Sequence, residues 1–126
     1  MYSIKKDQII MLFFRIGIFS TFFGHGYLAL TKNKAWIPYL EVVGFSYEQA
    51  LYLLPFIGVL DLLVAFFILI RPNKFVLIWA VIWTFSTALI RPISGESIFA
   101  FIERGANWIL PLIFLLIYSE FNNLKI

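Results

Sequence analysis

Cysteine is absent from the 126 residues, and histidine occurs once, as His25. Without thiols the chain can form no disulfide, no thiolate metal centre and no thiol redox couple. One imidazole falls short of the convergent ligands of a metal site and of the two axial ligands usual for a b-type haem, so neither group is expected. Ser20, Ser86 and Ser94 have only His25 as a base, and none sits in a nucleophile elbow. No glycine-rich phosphate loop is present. The sequence therefore nominates no catalytic residue. Charge is scarce too: Asp, Glu, Lys and Arg make up 13% of the chain, where a soluble domain carries about a quarter. The net charge of +3 is spread over segment ends and apolar runs. With no basic patch or stripe, nucleic acid is not an expected partner.

What is present is hydrocarbon. Hydrophobic residues make up 62% of the chain, with 15 Phe and 4 Trp, and the mean hydropathy is +0.91. One small core cannot hide that much apolar surface, which excludes a water-soluble globule and a disordered chain. The lipid bilayer is the expected surroundings. Apolar runs at residues 9–30, 49–70, 75–90 and 98–118 are each long enough, or nearly so, to cross it as a helix. They are continuous, not alternating, which favours helices over a barrel. The expected fold is all-α: one integral membrane four-helix bundle spanning residues 1–126. Residues 34–48 mix Trp36, Tyr39 and Tyr47 with Pro38, Glu41 and Glu48, a composition suited to the headgroup zone. Arg71-Pro72-Asn73-Lys74 and Arg91-Pro92-Ile93-Ser94-Gly95-Glu96 read as turns, with Ser94 as an N-cap for the fourth helix. The first run is long, lacks a small-x-small cleavage site, and is expected to be a retained helix. Lys5, Lys6, Arg71, Lys74 and Lys125 on one side against Lys32, Lys34 and Arg91 on the other place both termini in the cytoplasm.

The intramembrane polar residues are the candidate sites, because a lone charge in hydrocarbon costs at least a few kcal/mol and must find a partner. At about 1.5 Å per residue, Arg15 lies roughly 9 Å and Asp61 roughly 13 Å from the inner ends of their helices. That places an Arg15–Asp61 ion pair between the first two spans. It either fixes helix register or faces a ligand. Toward the outer side, His25, Arg91, Glu96, Glu103, Arg104 and Asn107 converge on one region, with His25–Glu103 and Arg91–Glu103 as natural pairs. This cluster is either a polar network joining helices or a pocket for a polar head such as a quinone ring or lipid headgroup. Gly17, Ser20, Thr21 and Gly24 share one face of the first helix, a strip suited to close packing. Ala80, Thr84, Thr87 and Arg91 do the same on the third, with both threonines expected to bond their own backbone.

Taken together, these residues resemble the DoxX-like family of small four-helix membrane proteins. Arg15, then Gly24-His25-Gly26 and Lys32, carry the resemblance on the first helix. Gly58-Val59-Leu60-Asp61 carries it on the second, and Glu103 at the start of the fourth. Asp61 stands where glutamate is commoner, Ala65 where a further glycine is usual, and the cysteines of some redox-associated relatives are missing. The resemblance implies a four-helix bundle in a bacterial inner membrane. Relatives are linked to a thiosulfate:quinone oxidoreductase subunit, to maturation of a periplasmic dehydrogenase and to receptor assembly. The implied roles are a non-catalytic subunit or assembly factor with a protein partner or second copy, a quinone-linked redox component using His25, Arg91 and Glu103, or a small lipid or solute carrier working as an oligomer.

Overall fold

The computed structural model describes residues 4–124. Lys125, counted above for orientation, lies outside them. Six α-helices and one 3-10 turn follow in order: α1 (Ile4–Leu30), the turn Lys34–Trp36, α2 (Ile37–Glu41), α3 (Tyr47–Ile70), α4 (Lys74–Ile93), α5 (Ile98–Ile102) and α6 (Gly105–Leu124). Four stretches, Lys5–Leu30, Tyr47–Ile70, Lys74–Ile93 and Ile98–Tyr118, are long and apolar enough to cross a membrane. Their outward faces carry Phe13, Tyr52, Phe56, Ile70, Phe75 and Leu116, all more than half exposed. Water would penalise such faces and acyl chains would not. The chain is an all-α integral membrane four-helix bundle.

Local chemistry sets the helix starts. Ser46 and Gln49 form a reciprocal capping box at the head of α3, and Asn73 accepts from the Val76 amide at the head of α4. The fourth span is capped by Ser97, which accepts from the Phe99 amide, and not by Ser94. Ser94 instead closes the C-terminus of α4, its hydroxyl donating to the Arg91 carbonyl at 2.8 Å. Helix α4 therefore runs through Arg91-Pro92-Ile93, where a turn was expected. Pro92 has no N–H to offer the Ala88 carbonyl, and the helix ends one residue later, at Ile93.

The helices pair antiparallel, α1 with α3 and α4 with α6, and the two pairs close on each other through α1–α6 and a short α3–α4 contact. The buried stripe of α3 is Ala50, Leu54, Gly58, Asp61, Ala65 and Ile68, at steps of three or four residues, with Val64 beside it. It meets Ile18, Phe22, Gly26 and Ala29 of α1, which have the same period. The nearest approach is Gly26 against Gly58. A Cβ on Gly58 would lie 2.8 Å from the Gly26 carbonyl oxygen and 2.8 Å from the Leu30 amide nitrogen. The expected small-residue strip on α1 is not this contact. Ser20 and Gly24 are exposed and nothing lies within 4 Å of a Cβ built on Gly24, while Gly17 faces Leu110 of α6.

The Gly26–Gly58 contact fixes how α1 and α3 slide along each other, and the expected Arg15–Asp61 pair does not form. Arg15 lies level with the end of α3, where its guanidinium donates to the Leu69 and Ile70 carbonyl oxygens, the latter at 3.2 Å. These carbonyls belong to the last turn, which has no amides ahead of it to satisfy them, and a cation there also opposes the negative end of the helix dipole. Asp61 lies eight residues earlier, roughly 12 Å along the axis.

Gly58→Ala is expected to destabilise the protein by about 1–3 kcal/mol, because the clash is with backbone atoms that cannot swing aside. Gly24→Ala is expected to leave it unchanged. Thermal unfolding of both variants in detergent checks the pair, and equal melting would refute the close contact.

Candidate functional site

At the end of the bundle away from Arg15, α3 and α4 part and leave a cavity of about 210 Å³. The same register that separates Asp61 from Arg15 brings it level with His25, and both line this cavity. The segment between α1 and α3 supplies Trp36, Tyr39, Leu40 and Val43, and α3 adds Leu54 and Ile57. From α4 come Trp83, Ser86, Thr87, Ile90 and Arg91, one face at three-to-four-residue spacing. Ser86 and Val43 are exposed at the rim, so the cavity opens onto the outside of the bundle. For scale, a dry cavity of about 150 Å³ holds one benzene molecule.

Polar groups lie at both ends of these apolar walls. At the mouth, the Tyr39 hydroxyl donates to Glu96 and accepts from Arg91 Nη1 at 2.9 Å. The Arg91 guanidinium stands 5.0 Å from the centre of the Tyr39 ring, within cation–π range, and 3.9 Å from the Glu96 carboxylate. Partial burial, then the bond to Glu96 and its negative charge, raise the Tyr39 phenol above its ordinary pKa of 10.0, against the opposing pull of Arg91 and Arg104. At the inner end, Asp61 is 2% exposed. Trp83 is a hydrogen-bonding neighbour of its carboxyl, but Oδ1 is buried without a hydrogen-bond partner. His25 packs edge-on against Trp36, ring centres 5.6 Å apart. Thr84 and Thr87 turn their hydroxyls to their own helix, onto the Ala80 and Thr84 carbonyls at 2.6 and 3.0 Å, as expected.

The structure thus splits the residues named from sequence. His25 and Arg91 line the cavity, and Glu96 holds its mouth. Glu103, Arg104 and Asn107 are not among its lining residues. Glu103 and Arg104 pair with each other at 2.7 Å, and Arg104 also donates to the Ala100 carbonyl. Consecutive residues on a regular helix point about 100° apart, but these two occupy the break between α5 and α6, where that restriction lapses. The Glu103 pairings expected with His25 and Arg91 are replaced by Arg104 and Glu96. Asn107, half-buried, follows that break, its amide bonded to the Arg104 carbonyl. Sequence reasoning named Asp61 but gave it Arg15 as partner and did not place it in this cavity, and it missed the aromatic wall of Trp36, Tyr39 and Trp83. The signal for the second was there in part: the expected inward face of α4 includes Thr87 and Arg91, one turn from Trp83.

Among the described residues, no three of His, Asp and Glu gather as metal ligands. Comparison with protein-family models, curated proteins and solved structures returns no match.

Two outcomes follow from this geometry. In a double-mutant cycle of Arg15→Met with Asp61→Asn, thermal unfolding should give a coupling below about 0.5 kcal/mol, the value for independent sites; a larger one would restore the ion pair. For Tyr39, the folded state favours the neutral phenol. Its contribution to stability is therefore complete below the unfolded value near 10 and fades as pH rises through the higher folded value. The ultraviolet phenolate signal of the wild type minus that of Tyr39→Phe should have a midpoint above 10, and a midpoint at or below 10 would contradict the burial and the Glu96 bond.

Proposed function

We propose that this protein is a DoxX-like component of a bacterial inner membrane that holds the head of a small membrane-soluble molecule between α3 and α4. It does so as a non-catalytic subunit or assembly factor. The observation that carries this reading is the cavity of about 210 Å³, with apolar and aromatic walls and polar groups at both ends. Ligand sites have this make-up, mostly apolar lining with a few polar groups that fix orientation. Its opening on the lipid-facing side supports a ligand that arrives through the bilayer. Its contacts with the interfacial segment support a head that sits near the membrane surface, with any tail left among acyl chains. Arg15, engaged with the end of α3, has a structural duty in this reading.

The test is solvent extraction of the protein purified from its native membranes in mild detergent, followed by mass analysis. The expected result is one small amphiphile near one per chain, lost in Ser86→Trp, which fills the rim from a position where the added ring has room to enter. An equal yield from both proteins would overturn the reading. A quinone in the wild-type extract alone would make the component redox-linked.

A further inference from the structure

We propose that the cavity binds a monocyclic organic cation, an ammonium group carried on one ring, with Asp61 as counter-ion and Trp36, Tyr39 and Trp83 as aromatic walls. The proposal rests on the reading that the cavity holds a ligand, and it names the chemistry of that ligand.

The charges around the lining decide the sign. Three lining residues are ionisable other than the tyrosine: His25, Asp61 and Arg91. The Arg91 guanidinium is paired at the mouth through Nη1, with Glu96 at 3.9 Å and with the Tyr39 hydroxyl at 2.9 Å, while its Nε is buried without a hydrogen-bond partner. Arg15, the cation that sequence depth assigned to Asp61, is engaged at the end of α3. No described basic group lies within ion-pair distance of Asp61, whose exposure is 2% and whose Oδ1 has no hydrogen-bond partner. A carboxyl in hydrocarbon demands a partner. An ammonium entering between the parted helices supplies the charge that the protein withholds.

The walls fit the same ligand. Indole and phenol faces attract cations, most strongly where water is excluded. Trp36, Tyr39 and Trp83 line one cavity with Asp61, and the Tyr39 ring already takes a cation on its face, that of Arg91. The volume, about 210 Å³, exceeds by a small substituent the roughly 150 Å³ that holds benzene. It therefore has room for one ring with a compact cationic group.

The experiment titrates the full-length protein in neutral detergent with benzyltrimethylammonium and, separately, with its uncharged isostere neopentylbenzene, reading the intrinsic tryptophan fluorescence. The wild type is expected to bind the cation saturably and at least about tenfold more tightly than the isostere. Asp61→Asn should abolish that preference while leaving the affinity for neopentylbenzene unchanged, and Trp36→Leu should reduce it. If Asp61→Asn fails to fold, judged by helicity and melting, the two probes on wild type and Trp36→Leu still decide. Equal affinity of the wild type for both probes would overturn the cation assignment and leave the ligand cavity standing. Binding of neither probe would overturn the cation assignment, while a copurified amphiphile that Ser86→Trp expels would still uphold the cavity as a ligand site.

Discussion

The contact between Gly26 and Gly58 governs the molecule. Two helices in lipid gain little from hiding hydrocarbon, since the surrounding tails are equally apolar, so close backbone approach is what holds them. Here that approach leaves no room for a Cβ on Gly58. It therefore fixes the axial position of α1 on α3 to within a fraction of a turn. Every ionisable group on the two helices then takes its neighbours from that one setting. Arg15 arrives at the open carbonyls of the last turn of α3, and His25 arrives beside the cavity that Asp61 also lines.

The remaining helices build on this pair. Helix α6 packs Phe114 against Phe14 of α1, ring centres 5.8 Å apart, and its Tyr118 hydroxyl donates to the Pro72 carbonyl at 2.7 Å. The bundle is thus dense at the Arg15 end. Its other end is looser. There α3 and α4 part, and the gap is roofed by the segment between α1 and α3, held by one polar triad of Tyr39, Arg91 and Glu96.

The spans were legible because a bilayer requires long uninterrupted apolar runs; the first three runs match α1, α3 and α4 to within about five residues, whereas the fourth, expected as one helix over 98–118, is divided between α5 and α6. Trp36 and Tyr39 beside Pro38 and Glu41 set residues 34–48 apart from the spans, and the structure gives that stretch a 3-10 turn and the short helix α2. The partners of the buried charges were not legible. Counting depth from assumed helix ends treats those ends as coplanar, yet α1 begins at Ile4 and its position on α3 is set by two glycines near the opposite end. The Glu103–Arg104 pair escaped notice for a related reason. Facing rules for a continuous helix do not apply across the break that separates α5 from α6. His25, Arg91 and Glu96 were placed in the right region because each lies near the same end of its own segment, a property that survives small axial slips.

The clamp of Tyr118 on the carbonyl of Pro72 gives the α3–α4 hairpin the mechanics of a clothes peg. Its spring end is pinned at the 71–73 turn, so the two arms can spread only at the jaws, where Ile57, Ser86 and Thr87 line the cavity. A wider jaw bears on Trp36 and Tyr39, which line the same gap. A load on the segment that carries those two rings thus reaches the aperture directly, while the pinned end stays shut.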